Sequence, residues 1–161
     1  MSDAPLSPES QKFVDDFISS AKSQSSPGGT VDGGTAASDV NTALGAKQAG
    51  NAAYKAGRYE VAVALYSKAI ELCVDESQRK VYYSNRAAAH FGLKSFAKSR
   101  ADASTCTTLD DQWEKGWYRK GLAEEGLELY REAEESFRKG VDCAPRDEAL
   151  QRALQEVKMM I

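Results

Sequence analysis

The sequence predicts an all-α chain: three antiparallel helix pairs stacked in order and closed by a seventh helix. Three observations lead there. Segments of similar pattern start at Gly50, Ala87 and Gly121, which lie 37 and 34 residues apart. In each, the small first residue is followed nine positions later by an aromatic one (Tyr59, Phe96, Tyr130) and twelve positions later by a second small one (Ala62, Ser99, Ala133). Beyond Pro145, residues Leu150, Leu154, Val157 and Ile161 recur at helical spacing and form one apolar stripe. Small side chains at fixed points let two helices approach closely, while the aromatic fills the corner where the chain turns. Self-similarity at this period implies helix pairs that are each too small to be stable alone.

Taken in order, the first pair is expected over 39–56 and 59–73, the second over 78–92 and 95–109, and the third over 112–126 and 129–143. About three extra residues, around "CVDESQRK", precede the second copy. The stripe from Leu150 to Ile161 then covers the core face that the last pair leaves open, as the end of such a stack requires. Upstream, residues 23–38 are rich in Ser, Gly and Thr and read as a flexible linker to the repeat domain of 39–161. Residues 1–22 form a separate segment, in which Ser7 is placed to cap a helix with Pro8 at its first position. Phe13, Val14, Phe17 and Ile18 supply an apolar face about two turns long. Isolated helices of that length are unstable in water. The segment is therefore either a marginal helix or one in which residues 8–22 dock on a partner, a second copy or the chain's own repeats.

Composition narrows the function. With 42% hydrophobic and 28% charged residues, a soluble folded protein is expected. Residues 1–38 hold five acidic and two basic side chains, which leaves 19 of each sign in 39–161. That balance lacks the basic footprint of a nucleic-acid binder, no apolar run is long enough for a bilayer, and the amino terminus does not read as a signal peptide. Cys73, Cys106 and Cys143 are too widely spaced for a metal motif or a disulfide framework and read as buried thiols in a reducing cytosol. His90 is the sole histidine; among alanines it reads as a packed core or groove-wall residue and not as a catalyst. The carboxylates of "EAEES" read as a solvated helix face. Neither a nucleophile–base arrangement nor a phosphate-cradling glycine loop is recognisable, so no enzymatic activity, cofactor or metal is expected.

The repeat pattern resembles the tetratricopeptide repeat, most clearly in the third copy, where Trp117, Gly121, Ala133, Phe137 and Pro145 stand at the family's spacing. Lys120 and Glu124 depart from it, standing where the family usually has leucine and tyrosine. The first copy keeps Gly50, Ala62 and Tyr66, and the second only the small residues Ala87, Ser99 and Ala103. The resemblance covers roughly residues 39–161 and implies a solenoid of three helix-turn-helix repeats with a capping helix.

On that fold the first helix of each pair lines a shared groove. "KQAGN" places Lys47 and Asn51 four apart, one turn above each other; "YSNRAAAH" contributes Asn85; "EKGWYRKG" places Lys115 and Arg119 four apart. Lys115 and Arg119, like charges one turn apart, repel slightly, so that pair does nothing for the isolated helix. With no carboxylate in the same stripe, the groove is expected to be positive and suited to an anionic ligand. The set resembles the carboxylate clamp of chaperone-binding tetratricopeptide domains, in which all five residue types recur. The resemblance implies a non-enzymatic co-chaperone or adaptor that binds the Glu-Glu-Val-Asp (EEVD) terminus of the cytosolic heat-shock protein 70 and 90 chaperones. It also implies that Lys47, Asn51 and Asn85 hold the final main-chain carboxylate, Lys115 the last aspartate, and Arg119 an upstream carboxylate or carbonyl. Tyr54, Ala88 and Phe91 form either an apolar pocket for the ligand's valine or ordinary core. Two other readings are the targeting domain of a longer enzyme, such as a phosphatase or prolyl isomerase, and a general scaffold for internal peptides.

Overall fold

The computed structural model describes residues 40–161 together with Pro8, Gln11, Lys12, Val14 and Asp15. The expected linker of 23–38, and the roles given to Ser7, Phe13, Phe17 and Ile18, lie outside the described residues. The five described upstream residues are helical, Gln11 Nε2 donates to Asp15 Oδ1 at 3.0 Å, and Val14 is buried.

Between residues 40 and 161 there are seven α-helices and no strand. They are α1 (Ala43–Lys55), α2 (Tyr59–Leu72), α3 (Glu76–Gly92), α4 (Phe96–Leu109), α5 (Glu114–Gly126), α6 (Tyr130–Cys143) and α7 (Glu148–Lys158). Three starts are set by side-chain caps: Thr42 Oγ1 accepts from Gly45 N, Asp75 from Ser77 N, and Asp147 from Leu150 N. The cap at Thr42 starts α1 later than the expected residue 39, and the cap at Asp75 starts α3 earlier than residue 78. The helices fall in two compact units, divided after Val74.

In the first unit α1 packs on α2. Gly50 is the point of closest approach: a Cβ there would lie 2.6 Å from Cε1 of Tyr66, so only a glycine admits that ring. Around it Ala46, Ala49, Ala53, Val61, Ala62, Leu65 and Ala69 are buried.

In the second unit α3 pairs with α4 and α5 with α6; α5 also packs on α3 and α4, and α7 on α6. The small residues act as the repeat pattern requires. A Cβ on Gly121 would meet Cε1 of Phe137 at 2.5 Å, while Ala87 is fully buried and its carbonyl accepts from Ser99 Oγ at 2.8 Å. Leu150, Ala153, Leu154 and Val157 of α7 join Ala133 and Phe137 in one core cluster, so this helix closes the core as expected. The stripe stops at Val157, however. The helix ends at Lys158, and Ile161 is 56% exposed. Among the described residues, no helix is long and apolar enough to cross a membrane.

The corner inside each pair is built the same way three times. Gly57, Lys94 and Glu128 take left-handed backbone (φ 74°, 57° and 61°). The next amide in each case bonds back across the helix end: Arg58 N to Ala53 O, Ser95 N to His90 O and Leu129 N to Glu124 O, each at 2.9 Å. This is the Schellman closure, which favours glycine at the left-handed position. Two of the three corners use a side-chain-bearing residue where that backbone costs roughly 1–2 kcal/mol. Lys94→Gly is therefore expected to raise stability by about 0.5–1 kcal/mol, the gain being reduced by glycine's greater freedom in the unfolded chain. A urea unfolding midpoint that does not rise in this variant contradicts the strain.

Candidate functional site

Each predicted binding residue sits on the first helix of a pair. Lys47 and Asn51 lie one turn apart on α1, both half-buried. Asn51 Oδ1 accepts from the hydroxyl of Tyr66 at 2.7 Å. The ring admitted by Gly50 thus fixes the amide's carbonyl edge and turns its NH2 edge the other way.

In the second unit, Asn85 on α3 and Lys115 and Arg119 on α5 line one pocket of about 380 Å³. Lys115 is exposed and Arg119 half-buried. Among the described residues neither makes a salt bridge, whereas other cations of this unit do: Lys80 with Asp110, Arg86 with Asp102, Arg100 with Glu124. The two cations at the pocket thus keep their charge available to a ligand, while those three are neutralised within the fold.

The pocket differs from the sequence-based expectation in one respect. Glu114 and Asp147 also line it, so its wall carries two carboxylates beside the two cations. The stripe rule considers one face of one helix. Asp147 arrives from the start of α7, and Glu114 is the immediate neighbour of Lys115. The sequence analysis did not single out Asp147, and Glu114 entered it only as the first residue of "EKGWYRKG". Aromatic Trp113 and Tyr118 complete the wall on the α5 side. Trp117 does not take part: it lines a second cavity of about 530 Å³ with Lys139 and Cys143, and its Nε1 donates to Asp111 O at 2.8 Å.

Of the apolar residues named from sequence, Tyr54 packs edge-on against Tyr59, with ring centroids 5.3 Å apart, and Phe91 against Phe96 at 5.2 Å. Both rings thereby sit at the corners of their own pairs. Ala88 is buried.

Elsewhere in the second unit, polar groups tie the helices together. Arg86 Nε and Nη2 hold both oxygens of Asp102 at 2.8 and 2.7 Å, the fork geometry that an arginine–carboxylate pair favours. His90, buried as its alanine neighbours suggested, has Nε2 at 3.8 Å from the same carboxylate. Glu124, only 1% exposed, accepts from Arg100 Nε at 3.1 Å and from Ser136 Oγ at 2.6 Å. In "EAEES", Glu134 pairs with Arg138 and Glu135 with Lys139 on the outside of α6.

The three cysteines are free, but only Cys73 and Cys106 are buried; Cys143 is half-buried at the rim of the second cavity, because it stands at the last position of α6. Burial, reinforced by Asp102, pushes the Cys106 thiol up to about 12, against a backbone hydrogen bond and the charge of Arg119. The thiol is then protonated throughout the neutral range, and protonated thiols are poor nucleophiles. A disulfide-forming reagent at pH 8 is expected to label Cys106 only as fast as the protein unfolds, read by mass spectrometry of the labelled peptide. Labelling at the rate of an unfolded control shows that the site is open.

Comparison with known proteins agrees with the fold. A family model described as tetratricopeptide repeat matches residues 114–147. The heat shock protein STI1 of Saccharomyces cerevisiae is 39% identical over 111 residues, which cover 69% of this chain and 18% of that protein. The chain spans less than half the length of the first curated relatives it matches. Among solved structures, the Arabidopsis OM64 TPR domain superposes with a TM-score of 0.70 at 31% identity, covering 76% of this chain and 98% of that one. The first TPR of Spaghetti (RPAP3) bound to the HSP90 peptide SRMEEVD gives a TM-score of 0.68 at 27% identity, covering 75% and 94%.

Proposed function

This chain belongs to the tetratricopeptide-repeat family, and we propose that it is a peptide-binding adaptor for the EEVD termini of heat-shock protein 70 and 90 chaperones. It acts by holding a chain end, without catalysis, cofactor or metal, and it works in the cytosol. The reading rests above all on Asn85, Lys115 and Arg119 lining one pocket, with both cations left without a salt bridge among the described residues. It is supported by the similarity to a tetratricopeptide domain bound to a peptide ending in these four residues. Free cysteines fit the reducing compartment in which such chaperones work.

In this proposal Lys47, Asn51 and Asn85 take the main-chain carboxylate of the last residue. Lys115 takes the side-chain carboxylate of the final aspartate, and Arg119 a carboxylate or carbonyl further along. Amides donate hydrogen bonds without adding charge, and the lysines supply the counter-charge. Arginine's planar fork suits the upstream group. At roughly 1.5–3 kcal/mol for each charge-assisted bond, five give about 7–15 kcal/mol before an association cost of about 4–15 kcal/mol. Micromolar affinity, near −8 kcal/mol, follows as the expectation.

Reading a chain end makes one demand that an internal-peptide scaffold does not. Converting the terminal carboxylate of an EEVD peptide to an amide removes a charge and an acceptor from several donors at once. A micromolar ligand should thereby weaken to roughly millimolar or beyond. Affinity for the free acid should also fall as salt rises, because Lys115 is exposed. Calorimetric titration of the two peptides decides: equal affinities eliminate the clamp.

Lys115→Glu reverses the charge at an exposed position and is expected to abolish binding while leaving the melting curve in place. Retained binding by that variant removes Lys115 from the site.

A further inference from the structure

Val81, Ser84 and Asn85 line the pocket of the second unit from one face of α3, at i, i+3 and i+4. Ser84 is only 5% exposed. The other buried serine and threonine side chains all spend their hydroxyls inside the fold. Ser99 donates to Ala87 O at 2.8 Å, Thr107 to Ser104 O at 3.0 Å and Ser136 to Glu124 Oε2 at 2.6 Å. The hydroxyl of Ser84 makes no hydrogen bond among the described residues. A helical serine can turn its hydroxyl back on the carbonyl four residues earlier, as Ser67 does on Val63 O at 2.8 Å. For Ser84 that carbonyl belongs to Lys80, and it receives the Cys106 thiol at 3.2 Å instead. A buried hydroxyl left without a partner destabilises the free protein, and a ligand that bonds it offsets that cost.

The repeat register points the same way. Lys47, Ser84 and Tyr118 each stand three residues before the small residue of their copy, Gly50, Ala87 and Gly121. Ser84 thus holds in the second copy the place that Lys47 holds in the first. We propose that Ser84 is a further ligand-binding residue, donating its hydroxyl hydrogen to the terminal main-chain carboxylate of the bound peptide. The proposal rests on the chain-end reading of this groove and completes the donor set at that group. An ionised carboxylate accepts about four hydrogen bonds, and the chain-end reading supplies donors from Lys47, Asn51 and Asn85. Ser84, adjacent to Asn85 in the chain and in the same lining, adds the missing one. A serine hydroxyl suits the place because it is short and uncharged, so it reaches a group that already has a lysine without adding bulk or charge.

Ser84→Ala separates a ligand role from a structural one, because the two predict different changes in stability. Removing a hydroxyl that is unbonded in the free protein leaves the melting temperature unchanged or raises it, whereas removing one bonded within the fold lowers it. Parent and variant are melted and then titrated with SRMEEVD and with SRMEEVN, followed by NMR shifts so that millimolar affinities remain readable. The second peptide loses the charge of its last side chain but keeps the main-chain carboxylate. The expected result is that Ser84→Ala weakens both peptides by the same factor, about tenfold, without lowering the melting temperature. Weakening of SRMEEVD alone overturns the assignment to the main-chain carboxylate. Equal affinities in parent and variant, or a lower melting temperature in the variant, overturn the role of Ser84 and leave the chain-end reading standing. If the parent chain binds neither peptide, that reading fails and this proposal with it.

Discussion

The structure depends on how closely the paired helices approach at one small residue in each pair. At Gly50 and Gly121 the ring of Tyr66 or Phe137 occupies the space a side chain would need, and at Ala87 the carbonyl receives the Ser99 hydroxyl. Each contact fixes the rotation of the first helix about its own axis, because the small residue must face its partner helix. The positions of the neighbouring residues follow from helical geometry alone. Asn51, next to Gly50, meets the Tyr66 hydroxyl, and Arg119, two residues before Gly121, turns towards the pocket. A packing contact thus orients the residues that carry the chemistry.

The second unit handles its buried charges differently from its pocket charges. Asp102 and Glu124 are almost wholly buried, and each is held by an arginine with a further polar neighbour at hand. Removing one partner from a buried pair typically costs 3–5 kcal/mol, because the other charge is left without compensation. These pairs therefore lock α3 to α4 and α4 to α5 rather than serving ligands. Lys115 and Arg119 lie on the same helix as Glu124 and inherit the placement its partners impose. An acidic residue is tolerated where the family usually has tyrosine because Arg100 and Ser136 answer it from two other helices.

The repeat order, the pairing of helices, the closing role of α7 and the turn-apart spacing of Lys47 with Asn51 and of Lys115 with Arg119 were all legible in the sequence. Each depends on separations along the chain, which covalent geometry converts directly into position on a helix. What the sequence did not disclose depends on approach between helices. Asp147 reaches the pocket from α7, Phe96 packs its ring against Gly126, at whose position a Cβ would lie 2.5 Å away, and Glu124 finds Arg100 and Ser136. The end of the last stripe at Val157 belongs here too, since whether an apolar residue is buried depends on the core beneath it and not on its period. The sequence by itself determined which residue types stand at which turn of which helix. Only the tertiary structure decided which charges are spent on one another and which remain at the pocket, because that depends on distances between segments remote in the chain.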